Sequence, residues 1–204
     1  MADVVIIDTG LCNLRSISRA VEECDAPARI ATSAAEVGAP SHVILPGVGA
    51  FPDAMDNLDR AGLVDELNEQ VGVLGVPFLG ICLGMQLLAT RGTEGRDTQG
   101  LGWIDGTVVK LVASTDERIP HVGWNEIELT APSRLFDGID PARDFYFVHG
   151  WALEPTVASD VIATTPYAGG FVSAVNRDNV FGVQFHPEKS QRAGFQVLRN
   201  FLAH

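Results

Sequence analysis

The sequence is poor in cysteine, in basic charge and in long apolar runs, and each shortage excludes something. Cys12, Cys24 and Cys82 are an odd number with neither disulfide nor zinc-ligand spacing, so no disulfide framework or structural zinc site is expected. Fourteen Lys and Arg stand against 26 Asp and Glu, and the net charge of −12 argues against a surface for nucleic acid or an anionic membrane. The apolar stretch from Val71 to Met85 is broken by four glycines and a proline and falls short of the ~18 residues that a spanning helix needs. The N-terminus carries no charged segment followed by an apolar one, so no signal peptide is read and a soluble, cytoplasmic chain is expected. There is also no internal repeat, low-complexity segment or linker. What remains is an ordinary globular composition, 46% hydrophobic and 20% charged, in 204 residues. That length suits one domain, residues 1–204, with a full core.

Strand and helix patterns alternate through the first ninety residues. Val4 to Ile7 reads as a buried strand ending in Asp8-Thr9-Gly10, and Leu14, Ile17, Val21 and Cys24 mark one helix face. Arg29 to Ala31 is a weak second strand, and Ser33-Ala34-Ala35-Glu36 has the spacing of a capping box. His42 to Leu45 is a third strand, leading into Pro46-Gly47-Val48-Gly49. A helical stretch from about Asp53 to Gln70, interrupted near Gly62, precedes the strand Val76 to Ile81. This alternation implies right-handed βαβ units and a parallel sheet. After the polar, glycine-rich segment Gly92 to Gly102 the pattern changes. Thr107–Val112, Val122–Leu129, Phe145–Val148, Val161–Thr164, Phe171–Val175 and Val180–Phe185 all read as strands, the last two joined by a hairpin turn at Arg177-Asp178-Asn179. Phe195, Leu198, Phe201 and Leu202 close the chain as an amphipathic helix, with Ser190 in the N-cap position. The fold class expected is α/β, an open, mixed and mostly parallel sheet flanked by helices, with an antiparallel extension.

The chemistry centres on Val76-Pro-Phe-Leu-Gly-Ile-Cys-Leu-Gly-Met-Gln-Leu-Leu88. At Cys82 the apolar run gives way to helical spacing at Met85, Leu88 and Ala89, and Gly80 and Gly84 flank the cysteine, which is the pattern of a nucleophile elbow. A sulfur at such a helix N-terminus is favoured as thiolate, and the Leu83 N–H points where an oxyanion forms. Taken alone, the same five residues equally suit a buried structural cysteine. A base is offered by His186 in Val183-Gln-Phe-His-Pro-Glu188, where extended backbone puts residues i and i+2 on one side and so sets Glu188 beside the ring. Pro187 reinforces that conformation, although His-Pro-Glu by itself is also a common surface turn. His42 suits a strand entrance and His204 a frayed terminus. Pro46–Gly49 is by itself a glycine turn, but at a strand end its N–H groups converge on an oxyanion position. Together these features define a thiol-dependent acyl-transfer enzyme of unspecified substrate.

Gly80–Leu88 with Gly182–Ser190 resembles the class I, triad-type glutamine amidotransferases. Pro46–Phe51 (P-G-V-G-A-F), Pro120–Asn125 (P-H-V-G-W-N), Phe145–His149 (F-Y-F-V-H) and Asp8–Ser16 are similar to one branch, the glutaminase subunit of imidazole glycerol phosphate synthase. The resemblance spans essentially the whole chain. It implies Cys82 as nucleophile, His186 as general base and acid, and Glu188 as the orienting carboxylate. Val48, Gly49 and Leu83 would form the oxyanion hole, and Gln86 and Glu94 would hold glutamine. Asn13, Arg15, Trp124, Tyr146 and Lys189 match positions near a partner surface. The partner implied is a (β/α)₈-barrel cyclase, supplied with ammonia from a γ-glutamyl thioester and making imidazole glycerol phosphate and aminoimidazole carboxamide ribotide. No metal or organic cofactor is implied.

One departure follows His149, where the branch has a hydroxyl residue and then tyrosine and this chain has Gly150 and Trp151. It points to a rearranged contact with the α-carbon end of glutamine, or one made by backbone. Two rivals stand beside the branch reading. One is a sister glutaminase of anthranilate, aminodeoxychorismate or guanylate synthesis, disfavoured by the P-G-V-G and P-H-V-G-W-N motifs. The other is a catalytically silent scaffold, disfavoured by the intact Cys82, His186 and Glu188.

Overall fold

The computed structural model describes residues 3–10, 12–114, 117–140 and 143–204. Its first part runs β1 (Val4–Ile7), α1 (Leu14–Glu22), β2 (Ala28–Ala31), α2 (Ala34–Val37), β3 (His42–Gly47), α3 (Phe51–Arg60), α4 (Leu63–Leu67), β4 (Phe78–Cys82) and α5 (Leu83–Gln86). There follow β5 (Ala89–Gly92), β6 (Thr98–Gln99), β7 (Ile104–Lys110), β8 (His121–Asn125), β9 (Glu128–Leu129), β10 (Phe145–His149) and β11 (Trp151–Pro155). The chain ends with β12 (Val161–Thr165), β13 (Phe171–Arg177), β14 (Val180–Val183) and α6 (Gln191–Leu202).

The main sheet has the order β2-β1-β3-β4-β14-β13-β12-β9. Its first five strands are parallel, and β13, β12 and β9 extend it antiparallel. A four-stranded sheet, β11-β7-β5-β6, and the β10-β8 ribbon complete the strands. Apolar runs without alternation are what a doubly covered sheet requires. Val4 and Ile6 of β1 enter one core with Ile17, Val21, Leu198 and Phe201 of α1 and α6. Val5 and Ile7 enter the other, with Leu58 and Leu63 of α3 and α4. All four strand residues are fully buried.

Several expectations need correction. Cys24 lies beyond the end of α1, in the following turn. Ser33 makes no side-chain cap; Glu36 instead accepts hydrogen bonds from the N–H and hydroxyl of Thr32. The long helical stretch begins at Phe51, with Pro52 in its first turn, and is cut where Gly62 takes φ +68°. Beyond α4 it continues as a π-helical segment, Asn68–Val73. The helix after Cys82 lasts only one turn, because from Ala89 the chain pairs in parallel with β7. Val122–Leu129 is two strands in different sheets, β8 with β10 and β9 with β12. The segment Gly92–Gly102 contains β6, paired with β5. β11 carries no alternation, since Ala152 and Leu153 are both buried, and sequence reading missed it. The hairpin turn lies between β13 and β14 as read, but pairing along β14 ends at Val183.

Candidate active site

Parallel pairing brings the chemistry to one sheet edge, because the carboxyl ends of adjacent parallel strands lie together. Gly47 at the end of β3 is in register with Cys82 at the end of β4, and Val183 at the end of β14 with Ile81. The glycine turn, Cys82 and the segment Gln184–His186 therefore emerge side by side.

Cys82 has φ +55° and ψ −109°, a strained conformation for a residue with a Cβ. The packing that enforces it runs through the flanking glycines. A Cβ on Gly80 would stand 2.5 Å from the Gly84 carbonyl oxygen, and one on Gly84 would overlap the carbonyl oxygen of Leu45. Only glycine lets strand and helix approach so closely here. With α5 one turn long, the helix-dipole contribution expected at Cys82 reduces to the few N–H groups of that turn.

His186 and Glu188 are bonded, Nδ1 to Oε1 at 2.8 Å, with side chains 4% and 6% exposed. The backbone reason differs from the extended one anticipated. His186 is extended, but Pro187–Lys189 forms a turn of 3₁₀ helix that swings Glu188 against the ring. Ser190 stands in the N-cap position of α6 without capping it. Its hydroxyl donates to the His186 carbonyl at 2.7 Å and accepts the Tyr146 N–H at 2.9 Å, while the His186 N–H donates to the Tyr146 carbonyl at 2.9 Å. Nε2 of His186 and Oε2 of Glu188 are buried with no hydrogen-bond partner among the described residues, although Cys82 lies near enough to act on the charge of the ring. Burial, the largest influence, disfavours the imidazolium; Cys82 and Glu188 oppose it and hold His186 up to about 9.

A pocket of about 200 Å³ opens in front of the sulfur. Its wall gathers Val48, Gly49, Cys82, Leu83, Gln86 and Glu94 with Val148 to Trp151. Gly49 has φ +104°. Glu94 accepts the Phe51 N–H at 2.8 Å, tying this wall to the start of α3 just after the glycine turn. Gln86 spends its amide hydrogens on the Trp151 carbonyl, at 2.8 Å, and on Gln184 Oε1, at 3.0 Å, so its oxygen is what it offers the pocket. A larger groove of about 650 Å³ beside Trp124 and the start of α6 contains none of these groups.

Sequence reading counted His121 and His149 among the histidines available as a base, but it assigned no contacts to them or to Gln184. Gln184, fully buried, donates its amide to Cys82 Sγ at 3.6 Å. His149 Nδ1 donates to the Trp151 carbonyl at 2.8 Å, and its Nε2 faces His121 Nδ1 at 3.4 Å. Burial foremost pushes His149 down to about 4, which leaves it neutral. His121 Nε2 in turn faces the Asn125 amide at 3.4 Å. The period-two spacing that singled out His186 and Glu188 also sets Gln184 on their side of the chain, and was the available signal.

Of the five positions matched to a partner surface, three come together. The Trp124 and Tyr146 rings lie 5.8 Å apart, and Lys189 Nζ lies 5.7 Å from the Tyr146 ring centre. Asn13 and Arg15 are exposed at the start of α1, which packs against the Pro187–Lys189 turn. Among the described residues no cluster of three or more His, Cys, Asp or Glu could hold a metal ion, and no helix is long and apolar enough to cross a membrane.

A profile of the family "Glutamine amidotransferase class-I" matches residues 5–204. A solved structure titled "Crystal structure of glutamine amidotransferase" superposes with a TM-score of 0.77 at 18% identity, covering 98% of this chain and 97% of that one, which speaks for the fold. The chain belongs to the class I glutamine amidotransferases. Its relatives narrow the class. Imidazole glycerol phosphate synthase subunit HisH of Moorella thermoacetica is 45% identical over 98% of this chain and 94% of its own. The HisH subunit of Caulobacter vibrioides is 46% identical over 99% and 98%. Within its class the chain belongs with these synthase subunits.

Proposed function

We propose that this chain hydrolyses glutamine at Cys82 and delivers the ammonia to a (β/α)₈-barrel cyclase, as the glutaminase subunit of a cytoplasmic imidazole glycerol phosphate synthase. The observation that carries the reading is the buried His186–Glu188 pair at the same sheet edge as a cysteine in an elbow conformation. Cys82 attacks the γ-carboxamide after His186 has taken its proton. The tetrahedral oxyanion is received by N–H groups of Leu83 and the Val48–Gly49 turn. His186, as imidazolium, protonates the departing nitrogen, and ammonia leaves a γ-glutamyl thioester. His186 then draws a proton from water, which releases glutamate and restores the thiol. Glu188 keeps Nδ1 protonated and steadies the imidazolium, so Nε2 is the nitrogen that works. In the pocket wall Gln86 offers an oxygen and Glu94 a carboxylate, acceptors suited to an α-ammonium group.

The cyclase docks on the Trp124, Tyr146 and Lys189 cluster, with Asn13 and Arg15 on the neighbouring helix. This assignment is supported by the Tyr146 backbone, which bonds directly to the His186 segment. The test is Cys82→Ser in the complex with a barrel cyclase. Glutamine-dependent synthesis is lost, while synthesis from added ammonia persists because cyclisation belongs to the partner. Glutamine use near the parental rate would overturn the assignment.

A further inference from the structure

Besides His186, the Cys82 sulfur meets the Val148 carbonyl at 3.9 Å and the Gln184 amide at 3.6 Å. What Gln184 presents to the sulfur follows from an anchor whose character is beyond choice. The Trp151 carbonyl only accepts, so the end of Gln86 that lies 2.8 Å from it is the NH₂. The same NH₂ is 3.0 Å from Gln184, so the atom of Gln184 facing it is oxygen. The other end of the Gln184 amide, toward Cys82, must then be its NH₂. Register explains why this side chain arrives there. Gln184 is one residue past the Val183–Ile81 pair, and its N–H remains bonded to Ser173 on β13 at 2.9 Å. A hydrogen-bond donor aimed at a group stabilises that group's charged form, the more so when both are shielded from water. Gln184 has no exposed surface, and Cys82 is 5% exposed.

We propose that Gln184 donates a hydrogen bond that stabilises the thiolate of Cys82 and fixes its position, and that Gln86 is the positioning residue that keeps the donor end of Gln184 turned toward the sulfur. The proposal rests on Cys82 being the nucleophile. It gives Gln86 a second duty beside the pocket, and it divides the work at sulfur between Gln184, which steadies the charge, and His186, which moves the proton. Val148 is the opposite kind of neighbour, since its carbonyl suits the thiol and repels the thiolate. Ionisation therefore shifts the sulfur's preference from Val148 toward Gln184.

The experiment follows alkylation of Cys82 by iodoacetamide in the full-length chain from pH 5 to 11. It is read on the Cys82 peptide by mass spectrometry, so that Cys12 and Cys24 do not contribute. Gln184→Met preserves bulk and removes the donor; Gln184→Glu preserves shape and puts an acceptor in its place. At pH 7 the Met variant should react about tenfold more slowly than the parent, and the Glu variant more slowly still. The differences should narrow as the pH is raised toward 11. Superimposed profiles, or slowing by the same factor at every pH, would show Gln184 to be packing only. If neither variant folds by circular dichroism, Gln86→Met decides. It leaves Gln184 in place but unanchored and should slow alkylation at pH 7 in the same direction by a smaller factor, whereas an unchanged profile overturns the proposal. Alkylation needs neither glutamine nor a partner, so its outcome is separate from that of the Cys82→Ser synthesis test.

Discussion

Glu188→Gln changes one charge in a buried pair and almost nothing of its shape, so its effect can be worked through closely. Glu188 Oε1 lies 2.8 Å from His186 Nδ1, and Oε2 has no hydrogen-bond partner among the described residues. A glutamine can keep its oxygen on Nδ1, but its NH₂ then takes the place of Oε2, where the buried atom has no hydrogen-bond partner. Replacing a charge-assisted hydrogen bond by a neutral one costs about 1–2 kcal/mol, to which the unsatisfied donor adds. At about 1.4 kcal/mol per decade that hydrogen-bond cost slows the proton-transfer step roughly 5–30-fold, while the unsatisfied donor weighs on stability in ground and transition state alike. His186→Ala removes the proton carrier itself, and should lie at or beyond the 10²–10⁴-fold range of general acid–base catalysis.

The pH dependence carries a sign. Burial pulls His186 down and Glu188 is one of two groups raising it, so in Glu188→Gln the ring titrates below the parental value of about 9. A folded value above the ordinary 6.5 means that the contribution to stability is complete below 6.5 and is lost as pH rises through about 9. Urea unfolding between pH 6 and 9.5 should therefore show a steeper loss of stability with pH in the parent than in Glu188→Gln. Glutamine hydrolysis by the complex supplies the rates. A folded Glu188→Gln as inactive as His186→Ala, or parallel stability curves, would refute this account of Glu188.

Four further predictions concern the oxyanion turn, the elbow glycine and a buried ion pair. Ammonia release should be low for the isolated chain and rise on adding the cyclase and then its nucleotide ligand. One oxyanion donor at the Val48–Gly49 turn accounts for about 10²–10³ of that rise, and equal rates in all three states rule out such a switch. Because Gly49 sits at φ +104°, Gly49→Ala should lower stimulated release more than basal release in the same assay. Gly84→Ala should destabilise by about 3 kcal/mol or more, since its Cβ meets the Leu45 carbonyl, whereas Gly72→Ala, with open space around it, should stay within about 1 kcal/mol. Thermal unfolding of both separates these outcomes, and similar melting temperatures contradict the close approach. Arg177→Met leaves buried Asp160 without the guanidinium that holds it at 3.2 and 2.5 Å. The cost should be about 2 kcal/mol in urea unfolding, moderated because the arginine is one-third exposed, and an unchanged midpoint would show the pair to be idle.

By itself the sequence determined whatever depends on a few neighbouring residues. The apolar runs at β1, β3 and β4 could be read as doubly buried strands because a parallel sheet leaves no polar alternation. The elbow at Cys82 was legible because glycine on both sides of a nucleophile answers a local demand for close approach, met here at Leu45 and Gly84. The His186–Glu188 pairing was legible from spacing, although a 3₁₀ turn rather than an extended strand brings the two together.

Tertiary structure decided what depends on partners distant in the chain. The helix after Cys82 stops at Gln86 because β7, contributed from Ile104 onward, claims Ala89 as a strand. The run Val122–Leu129 divides because β10 takes its first part and β12 its second, and nothing within the run marks the change of partner. β11 was invisible for the same reason, since β7 completes its hydrogen bonds and no alternation announces it. Gln184 is the sharpest case. Its residue type and its place beside His186 were plain, but the meaning of its amide depends on the Trp151 carbonyl of β11 and on Gln86 of α5, 33 and 98 residues away in the chain. Local conformation is set by short-range sterics and can be read along the chain, whereas the direction of a buried hydrogen bond is set by whichever distant group completes it.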